Sequence, residues 1–217
     1  MKKIKYLILL VPIISAIFVL TGWGYDLTGW RYPFRACVSV SCAVILWLTS
    51  GQELRRTIWW IIAALLVSCV ADWFMMRSGR VPAYFLYGVC LFFVAHVGFL
   101  VFCLKNGRVD RWLLLLVLTG YFAFFFLVLR PAISDPVMLA AVLAYTIISC
   151  FSLAAAVGLR LSAMARWCFT TGIALIVFSD TIIALKDFTG YKALGFLILP
   201  TYFACHIMIT LALMNEK

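Results

Sequence analysis

The feature that most constrains this chain is its division into long apolar runs of about 17 to 24 residues, close to the roughly 20 that a membrane-spanning helix requires. Eight such runs fill the 217 residues. Only helices and closed barrels cross a bilayer, because its interior offers the backbone no hydrogen-bond partners. The alternating segments of about ten residues that a barrel requires are absent from the sequence. The sequence therefore predicts an all-α, polytopic integral membrane protein.

The predicted spans are separated by short connections that carry nearly all of the charged residues. Their boundaries are residues 4–20, 32–48, 57–76, 83–104, 111–129, 136–159, 164–185 and 193–214. No connection is long enough to form a soluble domain. We therefore expect a single membrane domain over residues 1–217.

Composition and charge exclude a soluble fold and argue against binding to nucleic acid. Apolar residues make up 66% of the chain, against about 45–50% in soluble domains. The net charge of +10 comes from basic residues placed singly at span ends, where they meet anionic lipid headgroups, so we expect membrane lipid as a partner. Seven of the eight cysteines fall within spans and none forms a CxxC pair, which predicts packing roles for them.

The distribution of basic residues predicts the orientation in the membrane. With the amino terminus in the cytoplasm, eleven Lys and Arg residues lie on the inner side and seven on the outer side. Such an excess favours the cytoplasmic face. Asn106 and Asn215 lack the sequence context of N-glycosylation. We expect both termini in the cytoplasm and a location in the bacterial cytoplasmic (inner) membrane.

Four ionisable residues fall inside the predicted spans, namely Asp72, His96, Asp180 and His206. A charge within the hydrocarbon costs about 2.5 kcal/mol or more, so residues of this kind usually have a function. From the predicted boundaries, both aspartates lie about 7 Å from the outer helix ends, and both histidines lie about 20 Å deep.

The spacing of these residues suggests an internal repeat. The separation in sequence between Asp72 and Asp180 is nearly the same as that between His96 and His206. The starts of the first and fifth spans, Ile4 and Arg111, are separated by almost the same interval. The recurring offset predicts two parallel four-helix halves, residues 1–105 and 110–217, within the one membrane domain.

Two motifs contain most of these residues. The first is Phe85-x-x-Gly88-x-x-x-Phe92-x-x-Ala95-His96, which follows the aspartate of the third span. The second is Phe178-Ser179-Asp180-x-x-x-Ala184-x-x-x-Phe188, followed by Thr201-Tyr202-Phe203-Ala204. Together the motifs resemble the two signatures of the YhhN-like lysoplasmalogenases, over roughly residues 60–215. The chain has Ala71, Phe99 and His206 where that family usually has Gly, Tyr and Gln.

The resemblance implies a membrane hydrolase that acts on a lysophospholipid. Members of this family cleave the vinyl-ether bond of lysoplasmalogens and release a fatty aldehyde and a glycerophospho-base. We expect no cofactor, no metal ion and no obligate protein partner.

Vinyl-ether hydrolysis gives a reason for two intramembrane carboxyl groups. Protonation of the alkenyl carbon produces an oxocarbenium-like cation, to which water then adds. One carboxyl group must carry a proton, and a second, ionised one stabilises the cation and orients the water, as in glycoside hydrolysis. Asp72 has apolar neighbours, whereas Asp180 lies between two hydroxyl residues. We therefore expect Asp72 to be the proton donor and Asp180 the base.

Three further residues complete the predicted catalytic set. Tyr202 precedes His206 by one helical turn, so both side chains lie on one face of the eighth span. The Tyr202 hydroxyl can bond a carboxylate or the hemiacetal oxygen. We expect His96 to orient water or relay protons, and a histidine that only bonds a backbone carbonyl is the competing interpretation for both histidines.

Two other functions are consistent with the same residues. A zinc-dependent lipid amidase would use the aspartates and histidines as metal ligands, although bonds of about 2.0–2.2 Å cannot bridge the predicted difference in depth. A proton-coupled small-molecule transporter would use the acids as a relay, but Pro200 has no counterpart in the fourth span. For a hydrolase, we expect the lipid chain along the fourth and eighth spans and its phosphate near Arg77, Arg80, Lys186 or Lys192.

Overall fold

The computed structural model describes residues 7–21, 31–52, 54–214 and 216, and these form a helical bundle. We number its main helices α1 Leu10–Thr21, α2 Arg31–Thr49, α3 Ile58–Met75, α4 Ala83–Asn106, α5 Arg111–Ala132, α6 Pro136–Val157, α7 Ala163–Thr189 and α8 Ile198–Leu213. Within the described residues, seven helices are long and apolar enough to cross a membrane. The predicted all-α membrane fold is confirmed, and the expected count of eight spans is close.

Several helix bounds differ from the predicted ones, and α8, for instance, begins at Ile198, five residues after the predicted start. The first predicted span corresponds to α1, which has 12 residues, and residues 4–6 lie outside the described residues. Helix α7 runs to Thr189, four residues beyond the predicted end. Helix α5 contains a π-helical turn over Phe125–Leu129, and such turns often occur at functional sites.

Local sequence signals explain where several helices begin and end. The Asp110 carboxylate accepts a hydrogen bond from the Leu113 amide at 2.9 Å and caps α5. Asp135 caps α6 in the same way, ahead of Pro136 in the first turn. Gly190, with a φ of 75°, ends α7 in the left-handed conformation that glycine adopts without strain.

The helices pack in two similar arrangements. In the first, α1 packs on α2, α2 on α3 and α3 on α4; in the second, α5 packs on α6, α6 on α7 and α7 on α8. Between them, α4 packs against α6 and α8 packs against α2. The main core lies between α2, α3, α4, α7 and α8, whereas α5 lies at the periphery.

Two glycines allow the closest helix pairs to form. A Cβ atom added at Gly98 of α4 would lie 2.8 Å from the Trp60 carbonyl oxygen of α3. One added at Gly172 of α7 would lie 2.8 Å from Cγ1 of Ile209 in α8. Both contacts are shorter than van der Waals separation, so each pair depends on a residue without a side chain at that position.

Candidate functional site

Asp72 lies near the end of α3 in a buried polar cluster. Its side chain is 2% exposed and forms an ion pair with Arg35 of α2, whose Nη2 lies 2.7 Å from Oδ1. The Tyr202 hydroxyl of α8 donates to Oδ2 at 3.0 Å. Both carboxylate oxygens are therefore already bound by side chains from other helices.

His206 lies next to this cluster, one turn beyond Tyr202 on α8. Its Nδ1 is 2.9 Å from the Tyr202 carbonyl oxygen. Because a carbonyl only accepts, Nδ1 carries the hydrogen, and Nε2 of the neutral ring is left with a lone pair. The His206 ring is fully buried, and Nε2 has no hydrogen-bond partner among the described residues.

Asp180 lies on α7 in a second cluster. The Tyr145 hydroxyl of α6 donates to its Oδ2 at 2.5 Å. Nε2 of His96 on α4 is 3.6 Å from the same oxygen, beyond hydrogen-bond distance. The His96 ring is fully buried, and neither ring nitrogen has a hydrogen-bond partner within the described part of the chain.

Each cluster combines the aspartate of one predicted half with a side chain from the other half. Asp72 of the first half is bound by Tyr202 of α8, and Asp180 of the second half faces His96 of α4. Phe92 of α4 packs beside the first cluster, and its ring centroid is 5.9 Å from that of Tyr202. Phe92 also precedes His96 by one turn, so α4 contributes a side chain beside each cluster.

A small cavity of about 40 Å³ adjoins Asp180 between α5, α6 and α7. The Asp180 side chain is 14% exposed, in contrast to the enclosed Asp72. Tyr121 and Thr181 also line this cavity, and their hydroxyl oxygens are 2.9 Å apart. Phe124, which precedes the α5 π-turn, and Leu129, the last residue of that turn, form part of the wall. Asp180 is thus the carboxyl group with free space beside it.

Sequence reasoning misses the two residues that bind the aspartates most directly. From the sequence alone, Arg35 counts as a charge of the outer surface and Tyr145 as a packing residue. A signal is present, because the separation in sequence between Arg35 and Tyr145 equals that between His96 and His206. Residues that repeat this offset surround the two aspartates.

The predicted difference in depth between aspartates and histidines is wrong for Asp180 and His96, whose closest polar atoms are 3.6 Å apart. Because α7 extends to Thr189, Asp180 lies nine residues, or about 14 Å, before the end of its helix. Depth therefore does not argue against a shared metal site. Within the described ranges, however, no group of three or more His, Cys, Asp or Glu residues is placed to hold a metal ion.

The expected path of the lipid chain along α4 and α8 stays a prediction. Helices α4 and α8 contribute fully buried core residues such as Phe99, Phe102 and Phe203. The space beside Asp180 lies between α5, α6 and α7. At the carboxyl end of α3, the Arg77 guanidinium lies 4.2 Å from the centroid of the Trp73 ring.

Comparisons with known proteins agree with the two motifs. The sequence profile of the YhhN family matches residues 30–213, which include α2 to α8 and both aspartate clusters. Neither the curated proteins nor the solved structures give a match. The match covers most of the chain, and the protein therefore belongs to the YhhN family.

Proposed function

We propose that this protein is a membrane hydrolase that cleaves the vinyl-ether bond of lysoplasmalogen-type lysolipids. Membership of the YhhN family supports the link to lysoplasmalogenases. The observation that carries the proposal is the environment of Asp180, a carboxyl group within the bundle that has one oxygen bound by Tyr145 and a cavity beside it. The Asp180 side chain is also 14% exposed, which suits an acid that meets a lipid at the bundle surface while the cavity holds a small second reactant.

The contacts favour the opposite roles for the two aspartates from those expected from their sequence neighbours. Asp72 is engaged by a guanidinium and a hydroxyl, so carrying the proton that an acid must donate would break a buried ion pair. Asp180 has no cation bound at hydrogen-bond distance among the described residues, and its Oδ1 makes no hydrogen bond there. In our proposal Asp180 is the proton donor, and Asp72 with Arg35 is a fixed polar support.

A single carboxyl group can serve both steps of the reaction. The π electrons of the double bond take the proton from Asp180, which forms the new C–H bond and leaves an oxocarbenium ion on the adjacent carbon. Water adds to that carbon and returns a proton to the Asp180 carboxylate, so the acid is restored. The hemiacetal then breaks its bond to the glycerol oxygen, which takes the hemiacetal proton, and fatty aldehyde is released.

The remaining predicted residues have supporting roles in this proposal. His96, at 3.6 Å from Oδ2, stabilises the ionised form of Asp180 between the two proton transfers. Tyr202 fixes Asp72, and His206 fixes the turn that carries Tyr202. Tyr145 holds the Asp180 carboxyl group in one orientation.

The test is aldehyde release from a lysoplasmalogen by the purified protein in detergent. The matched control substrate is the lysolipid with a saturated ether chain, which lacks the double bond that takes the proton. In D2O the aldehyde is expected to carry one deuterium on the carbon next to the carbonyl group. Absence of cleavage would contradict the proposal, and substrate movement across proteoliposomes without cleavage would favour the transporter. Activity that is lost with a chelator and restored by zinc would favour the amidase-type enzyme.

We also propose the bacterial cytoplasmic membrane as the location, with both termini in the cytoplasm. Arg35 is bound to Asp72 and no longer counts as a loop charge, so the basic residues divide eleven to six. This larger bias supports the orientation. Reporter fusions at the two ends of the chain test it.

We further propose that the two halves, residues 1–105 and 110–217, are structural repeats. The pairings α4 with α6 and α8 with α2 are equivalent when the halves are exchanged. Superposition of the halves tests the proposal, which requires α3 to align on α7.

A further inference from the structure

The cavity beside Asp180 is distinguished by the kind of hydrogen-bonding groups that line it. Thr181 donates its only hydroxyl hydrogen to the Val177 carbonyl at 2.8 Å. Tyr121 must therefore be the donor in its 2.9 Å hydrogen bond to Thr181. Tyr145 uses its hydroxyl hydrogen on Asp180.

The remaining hydroxyl groups in the wall are satisfied in the same way. Thr146 donates to the Val142 carbonyl and Ser149 donates to the Tyr145 carbonyl, each at 2.8 Å. Once Asp180 has given its proton to the substrate, the polar atoms that still have free capacity are acceptors, chiefly Oδ1 of Asp180 and the Tyr121 hydroxyl oxygen. At that stage, the described lining residues offer acceptors and no free side-chain donor.

The size of the cavity selects its occupant. A volume of about 40 Å³ does not enclose a lipid chain or headgroup. It is sufficient for one water molecule, whose share of liquid volume is about 30 Å³, and a buried water usually finds two to four polar partners. A water here donates both hydrogens to the acceptors and is left with its lone pairs free.

We infer that this cavity is the binding site of the water molecule that adds to the oxocarbenium ion. The inference rests on the proposed function and identifies the second reactant of that reaction. A water held through its hydrogens by Asp180 and Tyr121 presents an oxygen lone pair, and the Asp180 carboxylate is placed to take its proton. The donated proton and the water go to adjacent carbons of the substrate, so the same carboxyl group reaches both.

The experiment measures which nucleophile captures the cation. Cleavage of a lysoplasmalogen is run in buffer with added methanol, and the ratio of methyl acetal to aldehyde is determined by mass spectrometry. Methanol adds through its oxygen and gives its hydroxyl proton to Asp180, so the acetal balances as the hydrolysis does. Because capture follows the slow protonation step, the ratio reports on the water site independently of the overall rate.

Changes to the cavity wall are expected to alter this ratio. Val142→Ala removes two carbon atoms from the wall and makes room for methanol, which is larger than water by one methylene group. A tight pocket discriminates against one methylene group by about tenfold or more, so the proportion of methyl acetal is expected to rise at least about tenfold. Tyr121→Phe removes an acceptor for water and is expected to raise the proportion as well. The matched control is Val137→Ala on the same helix, whose side chain is 60% exposed and which leaves the ratio unchanged.

The outcomes separate the inference from the proposed function. If the wild type does not cleave the vinyl ether, both fail. If it cleaves but the ratio is the same in Val142→Ala, Tyr121→Phe and Val137→Ala, the water site is overturned and the proposed function stands. Val177→Ala, in the α7 wall of the cavity, replaces Val142→Ala if that variant does not fold.

Discussion

The ion pair between Arg35 and Asp72 allows a quantitative prediction for stability. Replacing Arg35 by Gln leaves a carboxylate that is 2% exposed without its cation, and breaking a buried ion pair in this way costs about 3–5 kcal/mol. We expect about 3 kcal/mol, the lower end, because Arg35 is itself 16% exposed. For a chain of this length that corresponds to a Tm lower by about 6–12 °C.

The double variant Arg35→Gln with Asp72→Asn tests the cause of this loss. It removes both charges and leaves two neutral amide groups, so most of the lost stability is expected to return. Arg77→Gln is the control, because the Arg77 guanidinium lies over the Trp73 ring and a contact of this kind is worth about 0.5–1 kcal/mol at an exposed site.

The Tm of all three variants is measured by heating the protein in detergent and recording the fraction that remains monodisperse. Arg35→Gln is expected to be the least stable, and the double variant should lie between it and the wild type. A Tm for Arg35→Gln equal to that of Arg77→Gln would refute the reasoning, as would a double variant no more stable than the single one.

The remaining predictions concern activity and helix packing. Asp180→Asn should fold and lower turnover by at least about 100-fold, the smaller contribution of a general acid, while Asp187→Asn on the same helix has little effect; equal activities would contradict the role of Asp180. A chelator should leave the rate of aldehyde release unchanged, which is checked by assaying the protein after incubation with the chelator. Gly98→Ala should lower the Tm, because its Cβ meets the Trp60 carbonyl, whereas Gly120→Ala, with open space around it, should keep or raise it.

Hydropathy predicts the helices well because a membrane span is a local property of the sequence. Span length and composition are set by the bilayer, so α2 to α8 agree with the predicted runs to within a few residues. The ends are harder to predict, and the shift of four residues at Thr189 alone removes about 6 Å, roughly half, of the predicted difference in depth between His96 and Asp180. Errors of one helical turn therefore matter more for the site than for the fold.

The partners of the aspartates could not be predicted in this way, because they come from other helices. The neighbours of Asp72 in sequence are apolar, yet its carboxylate is bound by Arg35, 37 residues earlier, and Tyr202, 130 residues later. Residues that flank an aspartate in sequence belong to the same helix, so they do not show which side chains of other helices pack against it. What a buried carboxyl group contacts is decided by helix packing.

The repeated offset connects the packing with the chemistry. In the proposed repeat, Arg35 and Tyr145 occupy corresponding places in the two halves. Each side chain bonds the aspartate on the helix that follows its own. An arginine at this place supplies a fixed positive charge and holds Asp72 as an ion pair. A tyrosine supplies a neutral hydrogen bond to Asp180 and no fixed positive charge. In our proposal one difference between equivalent positions therefore gives two similar carboxyl groups different roles, one supporting the bundle and the other carrying the reaction.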